Sequence, residues 1–193
     1  WFDSSGKTVG VVGGGPAGVL VAYRAALAGK RVILLDAGPV ARRADFTTKA
    51  RDMMAQFCFN GGMRSARGGI FIPTMQCRVL GGGSVFNSAI CMRATPSALD
   101  RWHGEHGVEG LRRHELDPWY DQVEEFLDVA PTDPSLFGGK ETLFLRGADA
   151  LGWNATPTRR SIQGCKGSGR CVMGCPHLSK RSVDRRGVPE LLD

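Results

Sequence analysis

The chain has 193 residues, 42% hydrophobic and 23% charged, with no low-complexity tract, so it can bury a core and make one domain, or one domain and a small annex. A net charge of +6 and a pI of about 9.2 raise nucleic acid as a partner. The basic residues thicken only at Arg159, Arg160, Lys166, Arg170, Lys180, Arg181, Arg185 and Arg186, without interleaved aromatics or a binding motif, and nucleic acid is set aside.

Glycine is the outlier, at 27 of 193 residues, about twice the usual share. Without a collagen-like period, that excess points to tight turns or close approaches of backbone to a ligand. No apolar run approaches the about 20 residues needed to cross a bilayer.

Lys7 to Val12 (KTVGVV) has the length and composition of a buried parallel strand. Gly13-Gly14-Gly15-Pro16-Ala17-Gly18 follows at once. An alanine-rich helix then runs to about Ala28, with Leu20, Tyr23 and Leu27 at helical spacing and Gly29 in the position after its end. Arg31 to Leu35 is a second strand, closed by Asp36. Strand, glycine turn, helix, strand and acid in this order specify a dinucleotide site. Gly13 permits the tight turn, Gly15 lets backbone approach a pyrophosphate, and Gly18 lets the helix pack closely on the strand. The helix N-terminus offers N–H groups and a positive dipole end to phosphate. Asp36 accepts hydrogen bonds from a ribose, and its charge opposes the 2′-phosphate of NADP. This unit alone does not separate FAD from NAD.

Residues 39–76 carry the glycine pairs Gly61-Gly62 and Gly68-Gly69 and read as a long excursion able to fold over a cofactor. In CRVLGGGSVFNSAICMR (Cys77 to Arg93), the run Gly81-Gly82-Gly83-Ser84 is a second place where backbone must come close to something. Asn87 can donate and accept hydrogen bonds there; a plain turn with a structural Asn is the competing reading.

Ser97-Ala98-Leu99-Asp100 reads as a capping box opening a short helix anchored by Trp102. Asp117 reads as an N-cap with Pro118 at the first helical position, and Tyr120, Val123 and Leu127 as the apolar face before Ala130-Pro131. Lys140 to Leu151, stopped by Gly152, is a further helix. The chain starts at Trp1 rather than Met and ends at Pro189 to Asp193 in what reads as a helix just starting, so a piece of a longer protein is expected.

Cys58, Cys77 and Cys91 stand apart. Cys165, Cys171 and Cys175 match the ferredoxin run C-x2-C-x2-C-x3-C-P, except that Ser168 holds the second cysteine position. A three-iron cluster, a disulfide and plain thiols are the competing readings. No residue is assigned to a metal, and the compartment stays open.

VVGGGPAG with LLDAG, then GGGSVFNSAICMR, resembles the N-terminal half of the glucose–methanol–choline (GMC) flavin oxidoreductases, which oxidise alcohols with FAD. ATPSALDRWHGEHGVEGLRRHELDPWYDQVEEFLDV and GRCVMGCPHLSKRS are also similar to family segments, the latter to a cysteine-bearing version in some bacterial members and long-chain alcohol oxidases.

The resemblance implies an α/β fold: a Rossmann-like FAD/NAD(P)-binding domain with a three-layer parallel sheet, incomplete here, plus helical excursions. It divides the chain into an FAD-binding segment (7–96), a helical segment (97–152) and a cysteine-containing loop that begins the next FAD-domain segment (153–193). Gly13, Gly15, Pro16, Ala17 and Gly18 would hold the pyrophosphate and Asp36, where the family more often has Glu, the adenosine ribose. Gly82, Gly83, Ser84 and Asn87 would line the pyrophosphate and ribityl side, and the backbone of Ser88, Ala89 and Ile90 would lie near the isoalloxazine. The family's catalytic His and its His or Asn partner lie near the C-terminus, after a substrate-binding sheet, so no catalytic residue is assigned. His103, His106, His114 and His177 read as polar surface.

The implied function is oxidation of a small-molecule CH–OH substrate, with the electron acceptor open and this chain inactive by itself. A flavin and iron–sulfur electron-transfer protein is the alternative. An NAD-linked Rossmann enzyme is disfavoured by residues 78–93.

Overall fold

In the computed structural model, which describes residues 8–192, the first strand forms where the apolar run predicts it. β1 (Val9–Val12) pairs in parallel with β2 (Val32–Leu35), Val9 opposite Val32 and Val12 opposite Leu35. Lys7, expected to open β1, and Asp193 lie outside the described residues.

Between them runs α1 (Pro16–Leu27), with Pro16 at its first position, where a missing N–H costs no helical bond. Gly29 ends it at φ +72°, a conformation that suits glycine. The buried stripe of α1 is Val19, Ala22 and Ala25, not the Leu20, Tyr23 and Leu27 pattern, and Leu27 is 65% exposed. Small residues on the inner face let the helix axis lie close to the strands, and the bulkier ones turn outward. The sheet has two strands, and Val12, Ile33 and Leu35 are exposed on it.

The segment 39–76 is more ordered than its sequence suggests. α2 (Ala50–Phe57) sends Met53 and Phe57 into a core shared with Ala41, Val79, Val85 and Phe86. The Phe57 ring lies 5.7 Å from Phe86 and 6.4 Å from Phe46. A short antiparallel hairpin follows, β3 (Arg64–Ala66) with β4 (Ile72–Thr74). Cys58 and Cys77, far apart in sequence, face each other across an antiparallel bridge. Phe59 N–H donates to Gln76 C=O (3.0 Å) and Arg78 N–H to Phe57 C=O (2.7 Å) on either side of them.

By packing, the described chain divides into two units. One takes residues 8–89 and 163–192, and so holds both glycine loops and the last cysteines. The other takes residues 90–162 and contains α3 (Pro96–His106), α4 (Arg113–Phe126), α5 (Gly139–Ala150) and an antiparallel pair, β5 (Val129–Pro131) with β6 (Arg159–Ser161).

Two helix starts in the second unit differ from the sequence reading. The N-cap of α3 is Thr95, whose hydroxyl accepts from Ala98 N–H at 3.3 Å, with Pro96 at the first position. A β-branched cap followed by proline sets the start earlier than the Ser97 box. Leu99 is the buried side chain, and Trp102, the expected anchor, is 41% exposed. α4 begins a turn before Asp117, because the Glu115 carboxylate accepts from Arg112 N–H at 2.8 Å and caps the helix there. Pro118 therefore sits inside α4, where it removes one helical bond. Asp117 instead accepts from Arg113 Nε at 2.7 Å and from Arg93 at 3.2 Å.

Arg93 also reaches Asp121 at 2.5 Å and Glu124 at 2.9 Å, and Arg159 reaches Glu124 at 2.8 Å. The hydrogen bond from Arg93 first, then that from Arg159, holds the Glu124 carboxyl down at about 2. α5 ends as predicted, with Gly152 at φ +66°.

Candidate dinucleotide site

Three of the four glycines in the first loop, Gly13, Gly14 and Gly18, have a steric reason within the fold. Gly13 turns the chain at φ +101°, its N–H still donating to Leu35 C=O at 2.7 Å. A Cβ on Gly18 would lie 1.8 Å from the Gly13 carbonyl oxygen, so only glycine lets α1 start this close to β1. A Cβ on Gly14 would lie 2.5 Å from the Leu80 side chain. Around Gly15 nothing lies within 4 Å of a Cβ position. Pro16 and Ala17 are exposed beside it. The N-terminus of α1 has no side-chain cap and no acidic residue in its first turn, which leaves its N–H groups and positive dipole end to an anion.

Asp36 secures this loop. One carboxylate oxygen accepts from Gly14 N–H at 2.6 Å and the other from Gly38 N–H at 2.7 Å. The side chain is exposed and a carboxylate has about four lone-pair sites, so capacity remains for a ligand hydroxyl. A Cβ on Gly38 would fall 2.3 Å from Val79 N, so this glycine lets the second loop pass close by.

The two glycine loops meet. Gly81, at φ +93°, donates its N–H to Gly14 C=O at 2.8 Å, and a Cβ on Gly82 would stand 3.1 Å from Gly15 Cα. Gly83 is exposed and open. Ser84 is turned inward: its hydroxyl donates to Gly81 C=O at 2.6 Å and accepts from Val183 N–H at 3.2 Å. Asn87 Oδ1 accepts from Ala89 N–H at 2.7 Å, holding buried Ala89 at φ +58°, an uncommon conformation for a residue with a Cβ. Ser88 is half-buried between them. Gly13, Gly15, Pro16, Ala17, Gly18, Asp36, Gly82, Gly83, Ser84, Asn87, Ser88 and Ala89 thus share one unit, whereas Ile90 falls in the other, where it bridges Arg160.

Three contributors escaped the sequence reading. Gly14 and Gly38 carry the close approaches above, and Lys180, 4% exposed, reaches the second loop from about ninety residues away. A basic residue among other basic residues gives no sequence signal for burial.

The cysteine run is a hydrogen-bonded turn. Cys165 Sγ accepts from Gly167 N–H at 3.4 Å and Cys175 Sγ from Ser179 N–H at 3.3 Å. Among the described residues no group of three His, Cys, Asp or Glu side chains could hold a metal ion. His103 binds locally in the second unit, to Val108 C=O at 3.3 Å and Glu109 at 3.4 Å, and His106, His114 and His177 are exposed. No helix among the described residues is long and apolar enough to cross a membrane.

The β1–α1–β2 unit and its glycine turn define a Rossmann-like dinucleotide-binding protein, and a model of the NAD(P)-binding Rossmann-like domain matches residues 11–63. A model described as GMC oxidoreductase matches residues 54–192, and the chain belongs to that family of oxidoreductases, whose cofactor is FAD. An uncharacterized GMC-type oxidoreductase of Mycobacterium tuberculosis is 33% identical over 93% of this chain, which spans 29% of that relative's length. A long-chain-alcohol oxidase of Arabidopsis thaliana is 24% identical over 95% of this chain, which spans 24% of its length. Among solved structures, pyridoxine 4-oxidase from Mesorbium loti shares the fold, with a TM-score of 0.60 and 18% identity over 90% of this chain and 41% of its own.

Proposed function

We propose that this chain forms the adenine-dinucleotide cradle of an enzyme that oxidises a CH–OH group by hydride transfer to FAD. The observation that carries this is the join between the two glycine loops: the Gly81 N–H bond to Gly14 C=O sets Gly15 and Gly83, both with open Cβ positions, beside the uncapped N-terminus of α1. Backbone N–H groups and a helix dipole on a surface without Cβ atoms suit a diphosphate. Asp36 takes the adenosine ribose through its remaining lone pairs. Gly82, Gly83 and Asn87 would line the diphosphate and ribityl side, and the backbone of Ser88 and Ala89 would lie toward the isoalloxazine.

Bound FAD supplies the two-electron acceptor for the hydride. This chain's part is to fix the dinucleotide and exclude water from its diphosphate. The proton acceptor for the substrate hydroxyl is assigned to no residue of this chain, which spans 29% of the Mycobacterium tuberculosis relative and 24% of the long-chain-alcohol oxidase. The alcohol class of substrate rests on the family and on the long-chain-alcohol oxidase among the relatives. The iron–sulfur alternative draws no support from the geometry of the cysteines.

The test is a visible spectrum of the full-length protein before and after dithionite. Two flavin bands that bleach on reduction support the reading. A folded, colourless full-length protein that cannot be reconstituted with FAD refutes it.

A further inference from the structure

A lysine is almost never fully buried unless its charge is satisfied, and Lys180 is only 4% exposed. Its Nζ donates to the carbonyls of Val85 and Asn87 at 2.8 Å each and of Cys171 at 3.2 Å. Three carbonyl acceptors need three hydrogens, which an ammonium has and a neutral amine lacks. The charge is therefore kept in the interior despite its desolvation cost.

Two of the three acceptors belong to the loop that follows Gly81-Gly82-Gly83-Ser84. In a planar trans peptide the N–H points opposite to the C=O. Turning the carbonyls of Val85 and Asn87 inward to Lys180 turns the N–H groups of Phe86 and Ser88 away from it. The same segment grips the loop twice more. Val183 N–H donates to Ser84 Oγ, and Asp184 packs against Gly81, where an added Cβ would lie 2.9 Å from Asp184 Cβ. Asp184 is itself buried, pairs with Arg185 Nε at 3.1 Å, and leaves Oδ1 without a partner. Burial pushes its carboxyl up, against the opposing pull of a Ser182 hydrogen bond and the Arg185 and Lys180 charges.

We propose that Lys180 is a positioning residue for the dinucleotide: its buried ammonium clamps the Val85 and Asn87 carbonyls, fixing the peptide planes of the loop that carries Gly82 beside Gly15, and it holds a fixed positive charge behind the diphosphate loop. This rests on the FAD reading above. A lysine serving packing alone would lower stability without changing how the folded apoprotein meets FAD.

The experiment uses the full-length protein stripped of FAD, as wild type and as K180M, K180Q and K180R. Readouts are the FAD dissociation constant from flavin fluorescence quenching at 10 °C, the visible circular dichroism of the bound flavin, and the melting temperature of each apoprotein. K180M keeps length but loses charge and donors, and is expected to bind FAD at least tenfold more weakly with altered flavin dichroism. K180R keeps the charge and is expected to recover most of that loss. K180Q, neutral with two donors, falls between.

A folded K180M that binds FAD within twofold of wild type overturns the proposal, whatever its melting temperature. If K180M does not fold, K180Q decides by the same criterion. A wild-type apoprotein that takes up no FAD overturns both this and the function reading, whereas wild-type uptake matched by the variants overturns Lys180's role alone.

Discussion

Gly15 and Gly18 stand three residues apart in one loop, yet substitution by alanine should fail differently at each. At Gly18 the new Cβ would lie 1.8 Å from the Gly13 carbonyl oxygen and 3.0 Å from its carbon, well inside the about 3.5 Å of atoms in contact. Both atoms are backbone, so α1 must shift away from β1. Overpacking of this kind costs about 1–3 kcal/mol, offset by about 1 kcal/mol from alanine's better helix propensity. Because the clash is with backbone that cannot rotate aside, the upper part of that range applies, about 2–3 kcal/mol less about 1, and the net loss of about 1–2 kcal/mol corresponds to a melting temperature lower by about 2–8 °C. At Gly15 the Cβ meets nothing within 4 Å and the backbone has φ −76°, which alanine adopts freely. The fold should lose a few tenths of a kcal/mol through the weaker N-cap. The added methyl would instead stand where the diphosphate must approach, and FAD affinity should fall at least tenfold, about 1.4 kcal/mol. Both are measured on full-length protein, by thermal denaturation of the apoprotein and by flavin fluorescence titration. A Gly15→Ala protein with wild-type FAD affinity, or a Gly18→Ala protein as stable as wild type, refutes this division of labour.

Glu124 is held down at about 2 by Arg93 and Arg159, so its pairing contributes stability that is complete above its unfolded value of 4.5 and lost as pH falls through 2. Glu124→Gln should flatten the decline in stability of the second unit between about pH 4.5 and 2, read by urea denaturation; an unchanged acid profile counts against the Arg93 hub. Burial pushes the Cys77 thiol up to about 12 and raises Cys58 as well. At pH 8 neither is a ready nucleophile, and iodoacetamide should label both far more slowly in native protein than in urea; equal rates would show that the bridge does not bury them. Val12, Ile33 and Leu35 are exposed on a two-stranded sheet, so this 193-residue chain expressed alone should unfold at low temperature and bind a hydrophobic dye. A sharp transition above about 65 °C, the top of the usual mesophilic range, is the result that removes this expectation.

What the sequence determined is what a few neighbouring residues decide. The apolar runs, the Gly13–Gly18 turn, Gly29 after α1 and Gly152 after α5 are legible because strand burial, tight turns and helix termination are set within a turn or two of chain. The same locality explains the two misplaced starts: Thr95 and Glu115 compete with Ser97 and Asp117 as equally good local signals, and the winner depends on side-chain bonds that periodicity does not encode. Tertiary structure alone decided that Gly81 bonds Gly14, that Gly38 makes room for Val79, and that Cys58 faces Cys77. It also turned Ser84 inward and buried Lys180 beneath a loop 93 to 95 positions earlier. Those contacts form because chain segments distant in sequence are packed together, and a carbonyl turned toward an ammonium leaves no periodic trace in the residues that supply it.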